Sequence, residues 1–181
     1  MNNYINDIAK INKHERLMAI IKVLKENNIS YHIQGMPIND ALGNIIVEFK
    51  PNNDKEIIVS AHYDNAYNTY GANDNASACS ILLNLIINNK NSSKHLKFIF
   101  FDLEEKGFIG SHYYLNTNKE DILYAINLDM CGIGENIVYS YNGKMLNPIL
   151  NKYNAIKVKE LPPGDATSFI LKNIETLYII N

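Results

Sequence analysis

Residues 96–105 read LKFIFFDLEE, and this stretch decides the fold. Five of its first six residues are apolar and do not alternate with polar ones, a pattern typical of a strand covered on both faces. Three acidic side chains follow within the next four residues, where such a strand would end. The stretch therefore predicts a buried strand in a layered sheet, with acids at its carboxyl end.

The sequence on both sides of this stretch alternates between β-rich and helical patterns. In residues 15–27, Leu17, Ile20, Ile21 and Leu24 share one helical face. Further helices are predicted at 75–88, 109–116, 145–154 and 165–172. Strands are predicted at 31–35, 44–49, 56–61, 123–129, 136–142, 156–161 and 176–180.

This alternation predicts an α/β fold with a mixed, mostly parallel β-sheet sandwiched between helices. The turn-forming residues Pro51–Asp54 join the strands 44–49 and 56–61, and they predict a hairpin between these two strands. Asp165 stands at the start of the last predicted helix, where an aspartate side chain favours the N-cap.

Composition narrows the class of protein. The chain has 181 residues, of which 46% are hydrophobic and 20% charged, as in ordinary globular proteins of one domain. A formal net charge of −2 gives no electrostatic basis for binding nucleic acid or an anionic membrane. No apolar run approaches the roughly 20 residues that a membrane span requires.

The amino-terminal residues and the cysteines indicate the compartment. The start MNNYIND lacks the basic and apolar regions of a secretion signal, so we expect a cytoplasmic protein. Cys79 and Cys131 are the only two cysteines and do not form a C-x-x-C pair. We therefore expect free thiols rather than a disulfide framework or a cysteine zinc site.

Polar residues at the predicted strand ends indicate the functional site. Sheets of this class place ligands outside the carboxyl ends of their strands. His62 and Asp64 follow the strand 56–61, Glu104 and Glu105 follow 96–102, and Asp129 closes 123–129. Asp74 comes from the loop before the helix 75–88. Any one of these residues alone would be unremarkable, but four separate segments bring them to one rim.

These residue types favour a metal site. Carboxylates held close together repel each other, and a bound dication removes that cost. Histidine nitrogen with carboxylate oxygens is a ligand set that suits zinc. Asp64 lies two residues after His62, so it can accept the second ring N–H and orient the imidazole. Of the adjacent glutamates, one can bind metal while the other acts as general base.

Four segments also resemble a known family. They are His62-Tyr63-Asp64, GANDNAS (71–77), FFDLEEKGFIGS (100–111) and NLDM (127–130). They are similar, in this order, to the motifs of the M28 zinc aminopeptidases. The resemblance implies a two-zinc exopeptidase acting on small peptides. Asp74 would bridge the ions, with His62 and Asp129 on one zinc and Glu105 on the other. Glu104 would be the general base, and Asp64 a catalytic residue that orients His62.

The resemblance extends to GDATSF (164–169), a segment that lies near the substrate pocket in the family, so Asp165 is a candidate substrate contact as well as a candidate helix cap. The family also has a late histidine ligand after its last strand. No histidine follows His112 in this sequence, and His95 precedes a strand at the wrong edge of the sheet. We therefore expect a single M28-like domain over residues 1–181 that stops short of the family's C-terminal loop and helix.

The missing histidine leaves alternatives open. One zinc would have three candidate ligands from this chain and the other only two, whereas three is usual for a catalytic zinc. Truncation of the chain, a histidine from another chain, or a protein that holds one zinc or none would each explain the missing ligand, and we favour truncation. The protein is then an aminopeptidase, or an impaired relative that binds without turnover. A third hypothesis is a glutaminyl cyclase-type transferase with one zinc. It is weaker because the zinc of such enzymes resembles the position that lacks its histidine in this sequence.

Overall fold

Eight strands form the centre of the protein. The structure is a computed structural model, and it describes residues 2–50, 52, 54–119, 121–150, 152–153 and 155–181. The strands are β1 (His32–Gln34), β2 (Asn44–Phe49), β3 (Glu56–His62), β4 (Leu96–Phe101), β5 (Ile122–Leu128), β6 (Val138–Tyr141), β7 (Ile156–Lys157) and β8 (Thr176–Ile180).

Among the described residues, six α-helices and two irregular helical turns accompany these strands. The helices are α1 (Ile5–Ile8), α2 (Lys13–Glu26), α3 (Ala78–Asn88), α4 (Ile109–Thr117), α5 (Asn147–Leu150) and α6 (Asp165–Leu171). A π-type turn spans Ala72–Ser77 and a 3-10 turn spans Glu104–Lys106. The side chain of Asn12 caps α2 by accepting the backbone N–H groups of His14 and Glu15.

The strands form one mixed sheet in the order β1-β2-β4-β3-β5-β8-β6-β7. The four central strands, β4, β3, β5 and β8, run parallel to one another. β2 and β6 join this unit antiparallel on its two sides. The predicted α/β class, with a mixed and mostly parallel sheet, is therefore confirmed.

Helices cover both faces of the sheet. On β4, Phe98 and Phe100 pack into one apolar cluster together with α2 and α3. The alternate residues Ile99 and Phe101 face the other cluster, with side chains from α4 and α6. Because both faces of β4 are buried, its sequence is apolar without alternation.

The predicted hairpin between the second and third strands is wrong. β4 lies between β2 and β3, pairing antiparallel with β2 and parallel with β3. The turn residues Pro51 and Asn53 lie outside the described part of the chain. The physical reason is that β4 has no solvated face or edge, so a strand on each side must satisfy its backbone groups.

Several predicted elements are shorter than expected, among them the strand 136–142, which pairs only over Val138–Tyr141. Of the strand 156–161, only Ile156–Lys157 pairs, and of the helix 145–154, only Asn147–Leu150 is helical. Residues 151 and 154 lie outside the described part of the chain. The regular part of the helix 75–88 begins at Ala78. Within the described residues, no helix is both long and apolar enough to cross a membrane.

A buried ionic cluster lies at the amino ends of the parallel strands. The Lys97 ammonium is 2.6 Å from Glu56 Oε2, and Glu56 Oε1 accepts hydrogen bonds from Tyr114 and Asn118. His95 Nε2 lies 2.7 Å from Glu48 Oε1. His95 is thus at the edge of the sheet opposite the predicted site, as expected. Here the chain supplies both the buried acid, Glu56, and its cation, Lys97.

Replacing Lys97 by methionine should lower the free energy of unfolding by about 3–5 kcal/mol, because Glu56 is fully buried and would lose its counter-charge. Urea denaturation measures this change. The matched control is Lys55→Met, which removes the ion pair to Asp121 between two half-exposed side chains and should cost under about 1 kcal/mol. Equal effects of the two substitutions would show that the cluster contributes little.

Candidate metal centre

Three neighbouring parallel strands bring the predicted site residues together. His62 is the last residue of β3, Asp129 directly follows β5, and Glu104 begins the turn after β4. Since β4, β3 and β5 are adjacent and parallel, their carboxyl ends meet at one edge of the sheet. The shared rim inferred from the sequence is present in the structure.

Asp74 reaches this rim from the irregular turn before α3. Gly71 starts the turn with a φ of +52°, in the left-handed region that favours glycine. Asp74 and Asn75 then leave the helical conformation, and the peptide bond between them is cis. The Asn75 amide donates to the carbonyl of Leu128 and accepts from the N–H of Met130. These two bonds join the Asp74 turn to the segment that carries Asp129.

Two carboxylate oxygens face one nitrogen of His62. Nε2 lies 3.0 Å from Asp74 Oδ1 and 3.4 Å from Asp129 Oδ1. Both oxygens are buried and have no hydrogen-bond partner within the described residues. The other oxygen of Asp129 accepts a hydrogen bond from the Tyr178 hydroxyl at 2.9 Å. Tyr178 therefore holds Asp129 so that its free oxygen points at the imidazole.

The electrostatics of the site favour a positive charge. Burial lowers the pKa of His62, but the carboxylates of Asp129, Asp64 and Asp74 outweigh it and raise this pKa well above the ordinary value. The imidazole thus favours an extra proton, which supplies positive charge among the acids. Because a proton and a metal ion compete for the same nitrogen, the pocket is suited to a positive charge.

Asp64 ties His62 to the two glutamates. Its Oδ1 lies 3.4 Å from His62 Nδ1, longer than an ordinary hydrogen bond but on the side of the ring away from Asp74. The same carboxylate accepts the backbone N–H groups of Glu104 at 3.1 Å and Glu105 at 3.2 Å. These contacts keep the pKa of Asp64 below its ordinary value despite its burial. One ionised side chain therefore orients the imidazole and also fixes the glutamate turn.

The adjacent glutamates occupy different environments. Glu104 is 8% exposed, whereas Glu105 is exposed to solvent. Burial raises the pKa of Glu104 to about 8, and burial together with Asp74 raises the pKa of Glu105. Both line a cavity of about 320 Å³ that also contains Asp74, Asp129 and Tyr178. The pair can thus supply one desolvated base and one accessible ligand.

The donor set fits a zinc ion at one position. His62, Asp74 and Asp129 each offer one ligand atom, and these three atoms lie within 4.8 Å of one another. The Oδ1 atoms of Asp74 and Asp129 are the two buried carboxylate oxygens described above, and both have lone pairs available for a metal ion. Imidazole and carboxylate are ordinary zinc ligands. A second set of the same kind joins His62 with Glu104 and Glu105. The second zinc predicted from the resemblance has Asp74 and Glu105 as its candidates.

Asp165 is not the cap of the last helix, so that reading is wrong. Gly164 occupies the N-cap position, and its N–H donates to the Thr167 hydroxyl. Asp165 is 1% exposed, and its carboxylate makes no hydrogen bond of normal geometry within the described residues. Burial raises its pKa to about 7, an effect that His62 and the nearby Ser111 hydroxyl oppose. The predicted substrate contact by Asp165 stays a prediction.

Tyr178 and Asn75 take part in the site but were not predicted from the sequence. Tyr178 lies in TLYII (176–180), which reads as an ordinary strand, and its hydroxyl finds Asp129 only because β8 pairs with β5. Asn75 lies within the GANDNAS motif (71–77), but the motif does not predict that its side chain bonds to the segment carrying Asp129. The expected free thiols are present, with Cys79 buried and Cys131 partly buried.

Comparisons with known proteins place these residues in a family. The family described as peptidase family M28 matches residues 44–173. The aminopeptidase YwaD of Bacillus subtilis is 38% identical over 103 residues, which cover 52% of this chain and 23% of YwaD. This chain therefore spans less than a quarter of that relative.

Solved structures are similar as well. A zinc aminopeptidase from Bacillus subtilis aligns with a TM-score of 0.67 and 27% identity, covering 76% of this chain and 39% of the other. A glutaminyl cyclase from Bacteroides thetaiotaomicron, bound to N-acetylhistamine, aligns with a TM-score of 0.71 and 22% identity over 98% and 82%. Because the identity to the glutaminyl cyclase is 22%, this similarity shows a common fold and nothing about activity.

Asp64→Ala should weaken zinc binding about 10–100-fold, because His62 and the glutamate turn both lose the group that orients them. Competition with a chromophoric chelator measures the affinity. Tyr67→Ala is the matched control, since Tyr67 is 98% exposed on the loop that follows Asp64, and its affinity should equal that of the unmodified chain. An unchanged affinity in Asp64→Ala would contradict the orienting role.

Proposed function

Because the chain belongs to peptidase family M28, we propose that it is a zinc-dependent aminopeptidase that hydrolyses small peptides from their amino terminus. Support comes from the ordered ligand set and from the similarity to YwaD and to the Bacillus subtilis zinc aminopeptidase. The chain covers 23% of YwaD and 39% of the zinc aminopeptidase structure, so the proposed activity is argued from the residues of the site and not from the activity of either relative.

The observation that carries this proposal is the arrangement around His62. Two buried oxygens, from Asp74 and Asp129, face its Nε2 from different segments of the chain, and no other group among the described residues bonds to them. One ring N–H cannot satisfy both oxygens, and a folded protein rarely leaves such an atom without a partner unless a ligand satisfies it. Glu104 and Glu105 open onto the same cavity. This combination suits a hydrolytic metal centre better than it suits a structural ion pair.

The residues divide into holding and reacting groups. His62, Asp74 and Asp129 would hold one zinc, and Asp74 with Glu105 would contribute to a second position. Zinc bound there would polarise the scissile carbonyl and lower the pKa of the attacking water. Asp64 and Tyr178 keep His62 and Asp129 in place through the contacts described above.

Glu104 is the proposed general base. Its carboxylate lines the site cavity and is largely desolvated, which raises its affinity for a proton. A base of this kind takes a proton from the attacking water and can later return it to the leaving amine. Glu105, one residue on, is solvent-exposed, so it is less suited to this task and better placed as a ligand.

The acidic rim also fits the proposed substrate class. The ammonium group of a free amino terminus carries a positive charge, and Asp74 and Glu105 present carboxylates that solvent can reach. An attraction of this kind would favour the end of a peptide over its middle. The reaction would therefore be exopeptidic.

Two other functions remain as outcomes of the test. An impaired relative would bind metal or peptide without turnover, since the second position has only two candidate ligands in this chain. A cyclase would convert peptides with an amino-terminal glutamine without adding water, and the fold alone is compatible with it. Assays on aminoacyl arylamides and on a glutaminyl peptide separate these three functions.

Glu104→Gln should abolish hydrolysis of aminoacyl arylamides while zinc stays bound, because the amide keeps the shape of the side chain but accepts no proton. Metal content by mass spectrometry and a chelator-sensitive activity assay give the two readouts. The comparison variant is Glu105→Gln, which should bind less zinc, and its activity should fall because metal is lost. If Glu104→Gln strips the metal instead, the roles of the two glutamates are exchanged.

Absence of both zinc and chelator-sensitive activity in the unmodified chain would overturn the proposed function. Bound zinc without hydrolysis would favour the impaired relative. The number of zinc ions per chain, measured in the same experiment, tells whether the second position is filled.

A further inference from the structure

The chain contains a single arginine among its basic residues. Of the 17 lysines and arginines, 16 are lysine and one is Arg16. Sixteen positions thus use a simple ammonium, and one uses a planar guanidinium with five donors in a fixed fork. Arg16 is 0% exposed, on the inner face of α2. The single guanidinium of the chain is therefore fully buried.

Arg16 bonds the two ends of one loop. Its Nε donates to the carbonyl of Tyr63, and its Nη1 donates to the carbonyls of Tyr70 at 2.8 Å and Gly71 at 3.3 Å. Tyr63 stands between His62 and Asp64 at the end of β3. Gly71 begins the turn that carries Asp74. One guanidinium therefore spans the start and the end of the segment that separates His62 from Asp74.

The contact at Gly71 is tight. A Cβ atom added at Gly71 would lie 2.4 Å from the carbonyl oxygen of Asp74 and 2.8 Å from Arg16 Nη1. The Gly71 carbonyl also accepts the N–H of Ala76 at 3.0 Å. Asp74, Gly71 and Arg16 are thus packed against one another with no room for a side chain between them. A shift of the guanidinium would move the turn that places Asp74.

We propose that Arg16 is a positioning residue for the metal centre, fixing the Asp74 turn relative to His62. This inference rests on the proposed function, because it concerns the same centre. It assigns a part of the site to α2, which precedes the segment 44–173 that matches the family. A lysine would keep the charge, but one nitrogen on a flexible stem cannot reproduce the fork that joins both ends of the loop.

A purely electrostatic role predicts the opposite sign. The charge of Arg16 interacts with Asp64, Asp74 and Glu105, the acids of the site. A fixed cation near a metal site repels the incoming ion, so its removal would strengthen zinc binding if charge were its whole effect. A positioning role predicts weaker binding after removal. The direction of the change in affinity therefore separates the two roles.

The experiment compares Arg16→Met and Arg16→Lys with the unmodified chain. We expect zinc affinity, measured by chelator competition well below the unfolding temperature, to fall at least 10-fold in both variants. The visible spectrum of the cobalt-substituted protein should also change, because it reports ligand geometry rather than stability. Lys22→Met, at an exposed position on the same helix, is the control and should behave as the unmodified chain. An equal or higher zinc affinity in Arg16→Lys would overturn the proposal.

Two further measurements cover the remaining outcomes. If Arg16→Met does not fold, Arg16→Lys decides, and it should lower zinc affinity. If the unmodified chain binds no zinc, the proposed metal centre fails, but the positioning role is still testable by hydrogen exchange of the metal-free protein. Amides 71–76 should then exchange at least 10-fold faster in Arg16→Lys, while α3 stays protected. Unchanged exchange would overturn the proposal.

Discussion

The site depends on one unfavourable contact, in which the carboxylates of Asp74 and Asp129 face the same nitrogen of His62. Each acid would be more stable in water, and together they repel. The fold holds them in place through bonds made away from the shared nitrogen. Tyr178 holds the far oxygen of Asp129, Asn75 joins the two acid-bearing segments, and the parallel strands fix the distance between His62 and Asp129. A positive charge at this point, either a proton on the imidazole or a bound cation, would offset the repulsion.

Much of the fold and the location of the site could be predicted from the sequence. Apolar runs such as LKFIFFD and the amphipathic face of α2 are local signals, and they gave most helices and strands. The site followed from one geometrical rule, since the ends of parallel strands meet at one edge. That rule needs no knowledge of strand order, so it held although the pairing of β2 was predicted wrongly.

The rest depended on contacts that no local pattern contains. The turn residues after β2 are compatible with a hairpin. The hairpin does not form because β4 pairs with β2 on one side and with β3 on the other. Asp165 looks like a cap because its residue type is a good one, but Gly164 takes that position and leaves the acid buried. Arg16 lies 47 positions from Tyr63, a separation at which periodicity carries no information. Long-range polar contacts of this kind decide the exact placement of the ligands.

The two ends of the central strands differ in where their positive charge comes from. At the amino ends, Lys97 neutralises Glu56 within the chain. At the carboxyl ends, the acids around His62 rely on a proton or on an ion from outside. The charge balance of the sheet is therefore fixed within the chain at one end and open to an added cation at the other. A fold divided in this way can carry different chemistries at one end of its strands on an unchanged scaffold.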